Sequence, residues 1–338
     1  MRGWLKTALS LLIALTIGTT LALASGGAHA ETKKLKVALL LEALTNDGSF
    51  NTFAYTALKK LADAGKVEFE VRENLADPAA AEPVIRLYAS RGYDLILGHG
   101  IDLQAPILKV AKDFPNVHFS CSGGPDTATR LTDNVDGWTY DFGQQGYLAG
   151  YVVGKIEGVN TVGIVGGPEL AFIKAAHNGF KAGLAASNPK AKFIETYTGS
   201  FDDAQRALEA TRSLASQGAQ IVWTSGDGMA NGVAAGAAAV GIRTLGVTGD
   251  AGGQRDKVNI TSVMLNMTPI YDSYVEEIAK GTFGHHFVTA DLTNEGLILT
   301  PINKIGTGIP DDLEEDQAKI AADLRSGALK LPNFYPSN

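Results

Sequence analysis

Residues 161–203 read TVGIVGGPELAFIKAAHNGFKAGLAASNPKAKFIETYTGSFDD and contain a complete strand–helix–strand unit. The run at 161–166 is short and apolar, as is typical of a parallel strand buried on both faces. Residues 172–188 have the length and pattern of a helix that stops before Pro189, and residues 192–198 predict the next strand. A strand, a helix and a second strand in this order predict two parallel strands joined by a right-handed crossover.

The same alternation extends in both directions from this unit and forms two similar sets. Further strands are predicted at residues 36–41, 68–72, 93–98, 117–120, 221–224 and 244–247, and further helices at 52–64, 79–91, 104–114, 202–217 and 229–240. Late strands at 258–263 and 297–302 indicate that the chain returns once more to each set. The expected fold is α/β with two lobes, each a parallel sheet flanked by helices, and a ligand cleft between the lobes. The expected boundaries assign residues 31–140 and 252–283 to the N-terminal lobe, and residues 141–251 and 284–338 to the C-terminal lobe.

The composition of the 338 residues excludes several classes of protein. A hydrophobic content of 45% and a formal net charge of -7 do not fit an intrinsically disordered chain. The single cysteine, Cys121, excludes a disulfide scaffold and a cysteine-rich metal site, and its position at a predicted strand end favours a buried thiol. The negative charge argues against a protein that grips nucleic acid over a broad surface, so no nucleic-acid partner is expected.

The first thirty residues have the pattern of an export signal. Two basic residues precede an apolar stretch at 8–24, and Ala28-His29-Ala30 offers small residues at both positions that the signal peptidase reads. Cleavage is therefore expected after Ala30, which gives a mature chain that begins at Glu31. The segment has no cysteine for lipid attachment, and no later run is apolar enough to span a membrane. A periplasmic protein without a lipid anchor or stable membrane insertion is expected.

The loops that follow the predicted strands carry the candidate binding residues, because ligands of open parallel sheets bind beyond the carboxyl ends of the strands. The candidates are Asn46, Asp47, Phe50 and Asn51 after the first strand, Phe201, Asp227 and Asp250 in the second set, and Trp223, which lies inside a strand as a core or cleft-wall residue. Asp and Asn near a helix start are also ordinary N-caps. Phe50 and Phe201 are aromatic residues in polar loops. Each ring could stack on a ligand or pack in the core, and the sequence does not decide between these two interpretations.

No recognised motif for catalysis or cofactor binding is present in the sequence. The GxxxxGK[ST] phosphate loop, the GxSxG nucleophile elbow and the HExxH zinc motif are all absent. The pair His285-His286 beside Gly284 is interpreted as a solvated turn, and the acidic run at 311–316 as the first turns of a surface helix. The sequence therefore predicts no catalytic residue, no metal and no cofactor. An enzyme on this fold would need a nucleophile or a general base that the sequence does not reveal.

Seven short motifs, in order along the mature chain, carry a resemblance to one known family. They are DGSFN at 47–51, GYLAG at 146–150, VGIVGG at 162–167, GFKAG at 179–183, YTGSFDD at 197–203, GVTGD at 246–250 and TSV at 261–263. With these motifs the chain resembles the basic membrane protein family of ABC-transporter substrate-binding proteins, which includes bacterial purine nucleoside receptors.

The resemblance implies a type I periplasmic-binding fold and a role as a receptor. Such a receptor binds a small molecule, here a nucleoside and above all a purine nucleoside, and delivers it to an ABC transporter permease as a monomer. By position, the resemblance assigns Asp47, Phe50 and Asn51 to first-lobe contacts, Phe201 to the facing ring and Asp250 to the ribose.

The chain departs from the family pattern in ways that bear on the ligand. Nucleoside binders carry a lysine soon after the Thr-Ser pair that matches Thr261-Ser262, whereas this chain reads VMLN at 263–266. The family's lipid-attachment cysteine is also absent. A free purine base or another small polar ring compound is therefore an alternative ligand, and a sensory role is an alternative function. A gene regulator's effector domain shares the architecture, but the export signal and the lack of a DNA-binding module argue against it.

Overall fold

Two six-stranded sheets with flanking helices make up the described part of the chain, residues 34–226, 228–248 and 257–336 of a computed structural model. The strands are β1 (Leu35–Leu41), β2 (Val67–Arg72), β3 (Leu95–His99), β4 (His118–Ser122), β5 (Val135–Tyr140), β6 (Thr161–Gly166), β7 (Lys192–Tyr197), β8 (Ile221–Thr224), β9 (Arg243–Gly246), β10 (Asn259–Leu265), β11 (Phe287–Ala290) and β12 (Leu297–Leu299). The helices are α1 (Phe50–Asp63), α2 (Pro78–Ser90), α3 (Gln104–Val110), α4 (Phe142–Gly154), α5 (Ala171–Ser187), α6 (Ala204–Ser216), α7 (Met229–Val240), α8 (Thr268–Lys280) and α9 (Leu313–Ser326). The predicted signal peptide at residues 1–30 and the predicted start at Glu31 lie outside the described residues.

The first sheet has the strand order β11-β5-β4-β3-β1-β2, and all of its neighbouring strands are parallel. Its central strands are apolar and fully buried, because α1 and α8 cover one face and α2 and α3 cover the other. This sheet and its helices form the first lobe. Cys121 lies buried in β4, and burial raises the pKa of its thiol to about 12.

The second sheet has the order β12-β10-β9-β8-β6-β7 and forms the second lobe. Its strands are parallel except for β12, which pairs antiparallel with β10. The two-lobed α/β fold expected from the sequence is thereby confirmed, with the carboxyl ends of the parallel strands on the side where the chain passes between the lobes.

The route of the late strands differs from the boundaries expected from the sequence. The stretch assigned to the N-terminal lobe, 252–283, contains β10, which pairs with β9 in the second sheet. The stretch assigned to the C-terminal lobe, 284–338, contains β11, which pairs with β5 in the first sheet. β10 has seven residues and β11 has four, and nothing in the residues of either strand specifies its partner. Long-range pairing therefore decides the sheet that each one joins.

Helices α4 and α5 cross with their backbones in close contact in the second lobe. A Cβ atom at Gly146 or Gly150 of α4 would overlap the backbone of α5 at Ala176 or Phe180. Glycine at these positions therefore permits the close approach, and the packed pair holds the first turn of α5 at the edge of the second sheet.

Among the described residues, none of the helices combines the length and the apolar character that a membrane crossing requires.

Candidate functional site

A cleft lies between the two lobes, at the carboxyl ends of their strands, and is partly open to solvent. Its lining from the first lobe and the crossing strand comprises Glu42, Phe50, Ile101, Ser122, Gly123, Trp138, Thr139 and Tyr140. Its lining from the second lobe comprises Phe142, Phe172, Ile173, Phe201 and Ser225. The cleft is therefore mainly apolar and aromatic, with a few polar groups, as in binding sites for small flat molecules.

The first-lobe wall is built on the stacked rings of Phe50, His99 and Trp138. The centroid of the Phe50 ring lies 3.9 Å from that of His99, and the centroid of His99 lies 5.1 Å from that of Trp138. His99 Nε2 lies 3.0 Å from the carbonyl oxygen of Phe50, so Nε2 carries the proton and donates it. His99 Nδ1 therefore accepts from the hydroxyl of Tyr271, 2.9 Å away. These contacts fix the ring behind Phe50.

His99 is neutral at physiological pH. The residue is fully buried, and this burial lowers the pKa of its imidazole to about 3, against the smaller effect of the Phe50 carbonyl. The His99 ring behind Phe50 thus carries no charge, and the two hydrogen bonds set the tautomer of this ring.

The second-lobe wall is a run of aromatic rings that leads from the crossing point to Phe201. Tyr140 and Phe142 have ring centroids 3.6 Å apart, and Phe142 and Phe172 have centroids 4.7 Å apart. The rings of Phe172 and Phe201 lie 6.3 Å apart with an interplanar angle of 12°. This near-parallel offset arrangement is favourable for aromatic rings, and it holds Phe201 over the cleft.

Glu42 is the acidic group of the cleft. It is the first residue after β1, and its Oε1 accepts a hydrogen bond from the backbone N–H of Asp102 at 2.6 Å. Burial raises the pKa of this carboxyl to about 7, and the negative charges of Asp102 and Asp202 add to the effect of burial. The hydrogen bond from Asp102 opposes the rise only in part. Neutral and ionised forms of Glu42 are therefore both populated near pH 7.

Ser225 presents a hydroxyl whose orientation is set from behind by His177. Ser225 Oγ lies 3.3 Å from His177 Nε2, and His177 Nδ1 lies 3.2 Å from Glu195 Oε2. Burial lowers the pKa of His177 to about 4, so the ring is neutral and its single proton is on Nδ1, facing the carboxylate. Nε2 then accepts from the Ser225 hydroxyl, which leaves the oxygen lone pairs of Ser225 to face the cleft as acceptors.

The loop predicted at residues 45–51 places only one of its candidates in the cleft. Phe50 lines the cleft, whereas Asn46 faces a separate groove beside Met264 and Thr268. Asn51 is buried, and its side-chain N–H donates to Asp47 at 2.8 Å.

Asp47 is engaged as the cap of α1. Its carboxylate accepts from the backbone N–H groups of Ser49, Asn51 and Thr52 and from the side chains of Asn51 and Thr52. Burial alone would raise the pKa of Asp47, but these hydrogen bonds outweigh it and hold the pKa below its ordinary value. The Asp47 carboxylate is directed at the helix start, whereas Asn51 Oδ1 is buried without a hydrogen-bond partner. The assignment of Asp47 and Asn51 as direct ligand contacts stays a prediction.

The second-lobe candidates divide in the same way. Phe201 lines the cleft. Trp223 does not, because its fully buried side chain stacks on Phe180 with centroids 4.9 Å apart in the core of the second lobe. Trp223 lies on a central strand that is covered on both faces, so its ring points into a helix layer and away from the strand ends. Asp227 and Asp250 lie outside the described residues.

The sequence analysis missed most of the lining residues, among them Glu42, Tyr140, Phe142 and Phe172. Glu42 directly follows β1, and Phe142 and Phe172 begin the helices that follow β5 and β6. Only Glu42 is the first residue after a strand, so the strand-end rule that selected the loop at 45–51 could have found it. Tyr140 ends β5, Phe142 is the second residue after β5, and Phe172 lies six residues beyond β6.

Comparison with known proteins identifies relatives along nearly the whole chain. Residues 34–320 match the profile of a family described as ABC transporter substrate-binding protein PnrA-like. A solved structure of an ABC transporter solute-binding protein from Conexibacter woesei is 49% identical with a TM-score of 0.80, and the match covers 89% of this chain and 100% of that one.

Two curated relatives carry functional names. A purine-binding protein of Brucella abortus is 28% identical over 307 residues, which is 90% of this chain and 84% of the relative. The transcriptional activator protein med of Bacillus subtilis is 25% identical over 292 residues, which is 85% of this chain and 86% of the relative.

Proposed function

The chain belongs to the PnrA-like family of ABC transporter substrate-binding proteins, also known as the basic membrane protein family, and we propose that its solute is a purine, taken up as the nucleoside or as the free base. It is an extracytoplasmic solute-binding protein of an ABC transporter and not an enzyme. We propose further that it is exported with cleavage after Ala30 and, as a periplasmic monomer, delivers the purine to the membrane permease.

The observation that carries the purine proposal is that Phe50 and Phe201, one ring from each lobe, line the same cleft. Each ring is held from behind, Phe50 by His99 and Phe201 by Phe172. A planar ligand between two such rings gains offset stacking on both of its faces, which contributes roughly 0.5–1.5 kcal/mol for each ring beyond burial. A flat heteroaromatic ring uses this arrangement better than a puckered sugar does.

The charge of the lining supports an uncharged ligand. Among the described residues that line the cleft there is no lysine or arginine, and the one ionisable acid is Glu42. A phosphate group would meet a carboxyl and no cation, so a nucleotide is disfavoured.

The polar groups of the cleft suit the donors on a purine edge. Glu42 in its ionised form and Ser225 through its lone pairs both offer acceptors. Ring N–H and exocyclic amino groups of purines are donors that match them. The described lining offers no lysine for a ribose, and the position next to the Thr261-Ser262 pair is occupied by apolar side chains that include buried Leu265. This composition favours the free base over the nucleoside.

A thermal-shift screen with paired ligands tests the proposal. The pairs are adenine with adenosine, hypoxanthine with inosine and guanine with guanosine, and D-glucose and D-ribose are the controls. A ligand that binds only the folded state, present at a free concentration of about 100 times its Kd, adds about 2.7 kcal/mol to the free energy of unfolding and raises the Tm. We expect at least one purine to raise the Tm and the sugars to leave it unchanged. A rise with D-glucose or D-ribose and none with any purine would overturn the purine assignment.

A further inference from the structure

Three potential metal ligands meet at the end of the first sheet that faces away from the cleft. They are Asp136 in β5, Glu277 in α8 and His286 just before β11. β5 runs from Asp136 towards Trp138 and Tyr140, which line the cleft at its other end. The cluster is therefore separate from the purine site and is built on three packed elements of the scaffold.

The turn before β11 holds Asp136 through only one of its two carboxylate oxygens. Oδ1 accepts from the backbone N–H of Gly284 at 3.1 Å and of His286 at 2.7 Å. Oδ2 is buried and receives no hydrogen bond, and Glu277 Oε2 is also buried without a hydrogen-bond partner. Asp136 as a whole is 0% exposed. A buried carboxylate oxygen without a donor is costly, so a ligand that satisfies it is the physical expectation.

The cluster contains two carboxyl groups and one partly exposed imidazole. In the described part of the chain, no lysine or arginine forms an ion pair with Asp136, and the imidazole of His286 lies beside it, with Nδ1 3.8 Å from Asp136 Oδ2. A divalent cation would neutralise both carboxylates at once.

The spacing of the ligand atoms fits a small transition-metal ion. His286 Nδ1 lies 3.4 Å from Glu277 Oε2 and 3.8 Å from Asp136 Oδ2, and the three ligand atoms all lie within 4.8 Å of one another. Tetrahedral zinc with bonds of about 2.0–2.2 Å separates its ligand atoms by roughly 3.3–3.6 Å. A set of one imidazole nitrogen and two carboxylate oxygens suits Zn²⁺, whereas Mg²⁺ and Ca²⁺ prefer oxygen alone.

We propose that Asp136, Glu277 and His286 bind a divalent transition-metal ion, Zn²⁺ above all, with water at the remaining position. The half-exposed imidazole of His286 gives the ion access from solvent. The ion would tie α8 to the β5–β11 edge of the first sheet, and it would have no contact with the purine. This assignment replaces the interpretation of His286 as part of a solvated turn, which applies to His285 alone because His285 is exposed and pairs with Asp133.

Calorimetric titration of the chelator-treated, tag-free protein with ZnCl₂ tests the proposal. The test variants are His286→Ala and Glu277→Gln, both at partly exposed side chains. The control is His285→Asn, because His285 has a φ of 64° and asparagine tolerates this backbone region. We expect one Zn²⁺ per chain, an affinity loss of at least about tenfold in each test variant, and wild-type affinity in the control.

A second measurement applies to the unaltered protein and does not depend on the folding of any variant. Co²⁺ bound in this set should show visible d–d absorption, and ZnCl₂ should abolish it. The absence of zinc binding by the wild-type protein would overturn the proposal, as would wild-type affinity in His286→Ala. An equal loss in His285→Asn and His286→Ala would assign the binding to an adventitious surface histidine pair and would also overturn it.

Discussion

The side chain of Phe50 shows how neighbouring residues set the position of a single side chain. It is the first residue of α1, and its backbone oxygen accepts from His99, whose ring packs on the Phe50 ring. The Asp47 cap fixes the start of the helix just before it. A polar loop residue thus orients the helix, and the helix orients the ring that faces the cleft.

Replacing either cleft phenylalanine should weaken purine binding. Phe50→Ala and Phe201→Ala each remove one stacking surface and part of the buried area, so we expect at least a tenfold increase in Kd, which is about 1.4 kcal/mol. Phe193→Ala is the matched control, since Phe193 is 45% exposed on β7 and lies outside the cleft. Calorimetry with the purine that the thermal-shift screen selects measures the effect. An unchanged Kd in either cleft variant would remove the stacking role from that residue.

Glu42 should make the ligand-free protein less stable as the pH rises. Its carboxyl has a pKa of about 7 when folded against 4.5 as the ordinary value, so between these pH values the folded state holds a proton that the unfolded state has lost. Stability therefore falls across this window, and above pH 7 the loss is complete. Glu42→Gln removes the loss and keeps an acceptor for the Asp102 N–H.

The variant Glu42→Gln should accordingly be more stable than the wild-type protein at pH 8, by on the order of 2–3 kcal/mol, and equal to it below about pH 4.5. Urea denaturation at both pH values measures the difference. Glu68→Gln, at an exposed position of β2, should show no such gain. Equal stability of Glu42→Gln and wild-type protein at pH 8 would contradict the assigned pKa.

At the scale of elements, the α4–α5 crossing holds the second-lobe wall in place. The glycines of GYLAG in α4 and of GFKAG in α5 lie at the crossing. At each of them, backbone atoms of the other helix occupy the space that a Cβ atom would need. Phe142 begins α4 and Phe172 lies in the first turn of α5, so this contact also sets the distance between two cleft rings.

Gly150→Ala should therefore destabilise the protein, although alanine is intrinsically the better helix former by about 1 kcal/mol. Its Cβ would overlap the backbone carbonyl of Phe180, and two helices must move apart to accommodate it. We expect a net loss of about 2 kcal/mol or more in the free energy of unfolding, measured by urea denaturation. The control Ala185→Ser, at an exposed position of α5, should change stability by less than about 0.5 kcal/mol. A neutral or stabilising Gly150→Ala would show that the crossing can relax.

At the scale of the whole molecule, three segments carry the chain between the lobes. They follow β5, β10 and β11, and the segment after β10 leads directly into α8. Phe50 and Phe201 reach the cleft from different lobes, so a ligand held between them is contacted by both lobes at once. Such a ligand favours whichever arrangement of the lobes brings the rings to its two faces.

Purine binding should therefore compact the molecule. We expect the radius of gyration from small-angle X-ray scattering to fall when the selected purine is present at saturation. Phe201→Ala, at a purine concentration that saturates only the wild-type protein, should keep the ligand-free value. A radius that stays constant on saturation of the wild-type protein would show that the cleft binds without closure.

The sequence by itself determined the class of the fold, the family and the two aromatic rings of the cleft, because these depend on local pattern and on residue type at strand ends. Apolar runs of strand length, helices between them and phenylalanines in polar loops can all be seen within a few residues.

The tertiary structure decided what depends on distant partners. The swap of β10 and β11 between lobes, the use of Asp47 as a cap, the core position of Trp223 and the convergence of Asp136, Glu277 and His286 all follow from contacts between residues far apart in the chain or from the direction of a side chain. A strand's residues specify that it will be buried in a sheet, but they do not specify its partner strand, so the packing of the complete chain selects the lobe that it joins.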